Sequence, residues 1–355
     1  MTQQTSAPAA DMSAAVWLGD EEVIVRREPT PTVEGDTALV RVELTGLCGS
    51  DFGILHGTHP RAVAPLIMGH EITGTVEVAS PTSPPVGTRV TVEPLISCGH
   101  CTACLSGNTH VCQNLGLYGI DTPGSLAEFV ALPGDVLIPV DASVALTEVA
   151  LAEPLAVAVH AVHRSGLSGG ETVMIFGAGP IGMLTALVAR NSRAGRILIA
   201  EPSDARRVVA ESLGFETVPP DAEPTEAIRN ATGGAGADIV FDSAAHPSVA
   251  ARLARCVRVR GTVVLVGVYK KPTEVDLQAL TFAENTVVGV RVYTRADMEE
   301  AVALIESGVL HLERIPVEVF PLADANAAFE RAMAATGTLK VLVASGPADA
   351  GQPAR

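Results

Sequence analysis

The chain has 355 residues, 47% of them hydrophobic, and a formal net charge of −16. That length exceeds the roughly 250–300 residues at which a single core stops growing, so two domains are expected. An acidic surface repels phosphodiester backbones and anionic lipid, which argues against nucleic acid or a membrane as partner.

The first residues, MTQQTSAPAADMS, have no basic region followed by an apolar run, and read as a short polar tail rather than a signal peptide. From Ala14 to Pro139 the signals are β-like: VIVRRE, ALVRVELTG, EITGTVEVA, TRVTVEP and LAEFVALPG are apolar-alternating runs punctuated by Gly and Pro. A loop-rich, barrel-like region is predicted there. The character changes near Leu151. TVMIF (172–176) precedes a helical run from Pro180 to Arg190, and RILIA (196–200) precedes one from Ala205 to Leu213. FETVP, ADIVFD, GTVVLVG and TVVGVRVY follow, with helical patterns between most of them. Strands alternating with helices predict a doubly wound parallel sheet, for which a composition rich in Ala, Val and Gly is suited. ADMEEAVALIESG and ADANAAFERAMAA read as helices, TLKVLVA as a closing strand, and SGPADAGQPAR as a polar tail. No apolar stretch reaches the roughly 20 residues of a membrane span. Cytoplasm, where thiols stay reduced, is the expected compartment.

Four of the six cysteines fall in SCGHCTACLSGNTHVCQ, as Cys98, Cys101, Cys104 and Cys112. Four thiolates at this spacing can surround one tetrahedral zinc and leave no open position, so the expected site is structural. Disulfides are the competing reading, and a reducing compartment opposes them. His100 and His110 read as exposed loop residues, and Cys256 as core.

A second constellation is dispersed: Cys48 in TGLCGSD, His70 and Glu71 in MGHEITG, and Glu153 in LAEPLAV. Singly, these read as a buried thiol and a surface pair. Together they supply a thiolate, an imidazole and two carboxylates, which suits a zinc that keeps an open position and acidifies a hydroxyl.

TVMIFGAGPIG places Gly177, Gly179 and Gly182 after an apolar strand, with Pro180 and Ile181 opening a helix. This is the context in which G-x-G-x-x-G cradles a dinucleotide pyrophosphate. Glu201 ends the next strand, where a carboxylate accepts hydrogen bonds from a ribose 2′-OH and repels a 2′-phosphate, so NAD is favoured. Arg206 and Arg207 are the features that would suit NADP.

GLCGSD, GHEITGTV, the four-cysteine lobe, AEPLAVAVHA and GAGPIG occur in the order found in the zinc-dependent medium-chain dehydrogenase/reductase family. The chain resembles its sorbitol, butanediol and threonine dehydrogenase branch. The resemblance implies an α/β fold: a GroES-like β-barrel catalytic domain from residues 1–154 and 295–355, and a doubly wound Rossmann domain over 155–294. It implies an active site in the cleft between them, two zinc ions per chain, a homodimer or homotetramer, and a small alcohol or ketone as substrate. By the resemblance, Cys48 and His70 ligate the catalytic zinc, while Glu71 and Glu153 share the remaining position. Asp51 orients His70, Ser50 carries the substrate proton towards solvent, and His56 ends the relay. Lys340 reaches the cofactor pyrophosphate. Sorbitol-type enzymes carry an Arg-Tyr pair after the last Rossmann strand. Here Val292 replaces the arginine, Tyr293 matches, and Arg291 falls one residue early, on the opposite face of a strand. That leaves a smaller diol, amino alcohol or cyclic alcohol as plausible as a long polyol.

The expected activity is interconversion of a secondary alcohol and its ketone by hydride transfer to NAD. The rival readings are a zinc-free quinone or enoyl reductase on the same fold, and a dinucleotide-binding protein without turnover.

Overall fold

The computed structural model describes residues 9–19, 21–334 and 336–345; the two predicted polar tails lie largely outside them. The chain divides into two compact units: Met1–Glu153 with Val317–Ala335 and Lys340–Arg355, and Pro154–Pro316 with Thr336–Leu339.

The first unit is built on a seven-stranded sheet. Its strands run in the order Leu137–Pro139, Arg89–Val92, Glu71–Val78, Thr37–Gly46, Lys340–Ala344 and Val317–Pro321, with Phe129–Pro133 also pairing with the 37–46 strand. Alternate side chains fill its core, among them Val40, Val42, Ile72, Val76, Val90 and Leu132. The predicted strands of this region are present. Asp11–Trp17 and Leu66–Ile67, not singled out in the sequence, join Val23–Pro29 in a smaller sheet.

In the second unit six parallel strands run in the order Glu216–Thr217, Arg196–Ala200, Thr172–Phe176, Ala237–Asp242, Val257–Leu265, Thr286–Gly289. In chain order this is 3-2-1-4-5-6, the doubly wound arrangement that binds a dinucleotide where strand order reverses. TVMIF and RILIA form strands with the predicted bounds. Pro180 takes the first helical position of Pro180–Asn191, where its missing N–H costs nothing.

Two expectations are corrected here. Residues 295–316 fall in the second unit, not with the terminal one. The cause is the helix Arg295–Ser307, whose Asp297 caps its own N-terminus and accepts hydrogen bonds from His160 Nδ1 and His163 Nδ1, each at 2.8 Å. The last strand also stops at Gly289, and Val292 has φ +42°, so Arg291–Tyr293 do not alternate across a sheet. Tyr293 is fully buried.

Candidate metal centre and nucleotide-binding turn

Cys48, at the end of the 37–46 strand, is the N-cap of the helix Gly49–Leu55. Its backbone N–H donates to Asp51 Oδ2 at 2.8 Å. Fully buried Asp51 therefore caps the helix with one oxygen and aims the other at His70 Nδ1, 3.6 Å away. His70 and Glu71 enter the strand Glu71–Val78, and both are buried. The Cys48 sulfur, a His70 ring nitrogen and a Glu71 oxygen all lie within 4.8 Å of one another. Burial alone would lower the His70 pKa; Asp51 and Cys48 outweigh it and hold it well above the ordinary value.

Zinc fits this donor set. His70 Nδ1 and Asp51 Oδ1 are buried without a hydrogen-bond partner, beside a free thiol. A metal on the ring would fix it against Asp51, as metal-ligating histidines are held by carboxylates. Ser50 Oγ lies 3.5 Å from His70 Nε2. Glu153 is buried but is not among the clustered ligand atoms.

Two expected residues are placed otherwise. His56 is exposed, and its Nδ1 lies 2.7 Å from the Phe52 carbonyl oxygen of its own helix, so the structure shows no link from it to Ser50. Lys340 is not a free charge for a pyrophosphate: it is 4% exposed, and its Nζ lies against both carboxylate oxygens of Glu71, 2.5 Å from Oε1. Burial lowers the Lys340 pKa, and Glu71 and Cys48 more than reverse this. Sequence reading missed this ion pair because its members are 269 residues apart. It also missed His59, whose pKa is lowered by partial burial and Arg61, while Asp121 and Asp51 oppose the shift.

Cys98, Cys101, Cys104 and Cys112 form the second cluster. Sulfur pairs stand 3.5 Å (101–104), 3.9 Å (101–112) and 4.0 Å (98–104) apart. Four sulfurs about 2.3 Å from one tetrahedral zinc would be about 3.8 Å from each other, whereas a disulfide needs about 2.05 Å. All six cysteines are free thiols. His100 is exposed as expected; His110, expected to be exposed too, is buried in the short helical turn Thr109–Val111.

In the second unit, Gly177 has φ +97°, and a Cβ on Gly182 would lie 1.9 Å from the Gly177 carbonyl oxygen. Both positions need glycine, the first for the turn and the second for close packing of helix on strand. Glu201 is buried; Oε2 accepts from Ala178 N–H at 2.7 Å and Oε1 from Ser203 N–H at 2.9 Å. Arg206 Nε is buried without a partner, and its guanidinium lies beside Gly179. Arg207 is no solvated surface residue: it is buried and donates to the carbonyls of Glu201 and Pro202.

A GroES-like unit carrying two zinc-type clusters, with a Rossmann unit beside it in the chain, defines a zinc-binding dehydrogenase. The family model for the alcohol dehydrogenase GroES-like domain matches residues 34–142, and that for zinc-binding dehydrogenases matches residues 180–307. The chain is 37% identical to 2-dehydro-3-deoxy-L-galactonate 5-dehydrogenase of Pseudoalteromonas atlantica, over 90% of this chain and 94% of the relative. It superposes with TM-score 0.87 on a putative zinc-binding dehydrogenase from Sinorhizobium meliloti bound to NADP, at 30% identity, over 95% of this chain and 100% of the other. It superposes equally, at 26% identity, on 2R,3R-butanediol dehydrogenase from Bacillus subtilis, over 94% and 100%. The chain belongs to the zinc-dependent medium-chain dehydrogenase/reductase family, in its polyol and threonine dehydrogenase branch. It is an oxidoreductase that interconverts an alcohol and a ketone with a nicotinamide dinucleotide and zinc. No helix among the described residues is long and apolar enough to cross a membrane.

Proposed function

We propose that the protein oxidises a secondary alcohol group of a diol or polyol, including polyhydroxy acids, with NAD as acceptor. The clustering of Cys48, His70 and Glu71 within 4.8 Å carries this reading. Cys48 and His70 hold the catalytic zinc, and Glu71 and Glu153 are the two carboxylates available for its remaining protein position, one directly and the other through water or by exchange. Zinc supplies a Lewis acid that lowers the pKa of the substrate hydroxyl. Asp51 holds His70 in orientation, and Ser50 relays the hydroxyl proton towards solvent, giving up its own proton as it takes the substrate's. The four-cysteine lobe carries the structural zinc.

The substrate class is supported by the names of the relatives, which act on a deoxy-galactonate and on butanediol. NAD is favoured over NADP because the buried Glu201 carboxylate stands at the strand end where a 2′-phosphate would be repelled. We place the protein in the cytoplasm, in keeping with its free thiols. We also read it as a homodimer or homotetramer. The edge strand Thr286–Gly289 and the neighbouring Leu277 (70% exposed) and Phe282 (80% exposed) offer a face for a second copy. Sedimentation of the purified protein tests that part.

The functional test is a panel of diols, polyols, sugar acids and amino alcohols, read as NADH formation before and after chelation. Turnover of a polyol-type alcohol, lost to chelator and restored by zinc, is the expected result. A chelator-insensitive reduction of a quinone or enone would replace the reading with the zinc-free alternative.

A further inference from the structure

The closing strand Lys340–Ala344 pairs antiparallel with Thr37–Gly46, which pairs in turn with Glu71–Val78. Leu342 stands opposite Gly46, and Gly46 opposite Glu71. Directly opposed residues share a sheet face, and so do residues two apart on one strand. Glu71 and Lys340 therefore emerge on the same face, on either side of Gly46. A Cβ on Gly46 would lie 2.0 Å from Glu71 Oε2 and 2.9 Å from Lys340 Cε. The two charged groups close over the space that this glycine leaves, and both are buried.

We propose that Lys340 is a positioning residue that decides whether Glu71 or an exogenous oxygen completes the catalytic zinc. The inference rests on the zinc reading of Cys48 and His70. An ammonium against both oxygens of Glu71 competes with a metal for that carboxylate. It also offsets one negative charge. Beside the negative charges of Cys48, Glu71 and Glu153, the added positive charge of Lys340 favours a developing alkoxide relative to a site without it. Without Lys340 that charge is lost, and Glu71 is free to close the coordination shell. Lys340 thus trades metal affinity for an open position.

The test is cobalt binding to the full-length protein, with the metal exchanged at the Cys48 site and followed by its absorption spectrum. The proteins compared are the wild type, K340M, E71Q and the double variant. K340M is expected to bind cobalt at least tenfold more tightly than the wild type, with a changed d–d spectrum as Glu71 joins the shell. In the E71Q background the same change is expected to tighten binding by threefold or less. The wild-type and E71Q spectra are expected to coincide, a comparison that does not depend on K340M folding. Equal effects of K340M in both backgrounds, no tightening, or a spectral shift on E71Q alone would overturn the proposal. Failure of the wild type to bind cobalt at Cys48 would instead overturn the zinc reading beneath it.

Discussion

Gly46 gives Glu71 no room to spare: a Cβ there would lie 2.0 Å from the Glu71 carboxylate. Gly46→Ala is therefore expected to push Glu71 off Lys340 and off the metal ligands beside it. Displacing a positioned group by about 1 Å costs roughly a hundredfold in turnover. Steady-state kinetics and circular dichroism together check this: kcat falls while the fold persists.

Asp297 ties the helix Arg295–Ser307 to His160 and His163. Burial pushes its pKa up, but hydrogen bonds from His160, Thr294 and His163 prevail and hold it below the ordinary value. A carboxyl depressed on folding stabilises the protein above its unfolded pKa of about 3.9, and that stabilisation disappears as pH falls. Asp297→Asn should cost about 2 kcal/mol at neutral pH, and progressively less below about pH 4. Urea denaturation at several pH values measures the difference.

In the zinc-free cysteine lobe the four thiols are not equivalent. Backbone N–H groups of Gln113 and Cys104 bring the Cys101 thiol down to about 6, while burial pushes Cys104 up to about 11. The thiolate is the reactive form. After zinc removal, iodoacetamide at neutral pH should alkylate Cys101 before Cys104, and with zinc bound it should modify neither. Peptide mass spectrometry reads the order of labelling.

Glu201 accepts from the Ala178 N–H of the glycine turn, and in the proposed function it also faces the ribose of the dinucleotide. Glu201→Ser should raise KM for NAD by roughly tenfold and permit turnover with NADP, because the group that repels a 2′-phosphate is gone. Parallel assays with the two cofactors measure the switch.

Local signals were legible in the sequence. TVMIF and RILIA are short apolar runs bounded by glycine or polar residues, and both form strands at the bounds read from the sequence. The four cysteines of one loop could meet without knowledge of the fold. VRVY was misread because its alternation imitates a strand, while the chain turns at Val292 through a positive φ. The Glu71–Lys340 pair was illegible for another reason. A strand from the far end of the chain inserts beside Thr37–Gly46, and no local periodicity encodes which strands become neighbours. Lys340 was accordingly read as a free charge for phosphate. Gly46 gave the nearest hint, as a glycine ending a strand, where a close approach is a standard reason for its presence.

In the proposed function, a metal held at Cys48 and His70 powers the reaction. Metal content and NADH formation measured on the same preparations of wild type and Cys48→Ala test it most directly. About two zinc per chain are expected in the wild type and about one in the variant, held by the cysteine lobe, with no NADH formed by the variant. A Cys48→Ala protein that keeps both its full metal content and its turnover would contradict it.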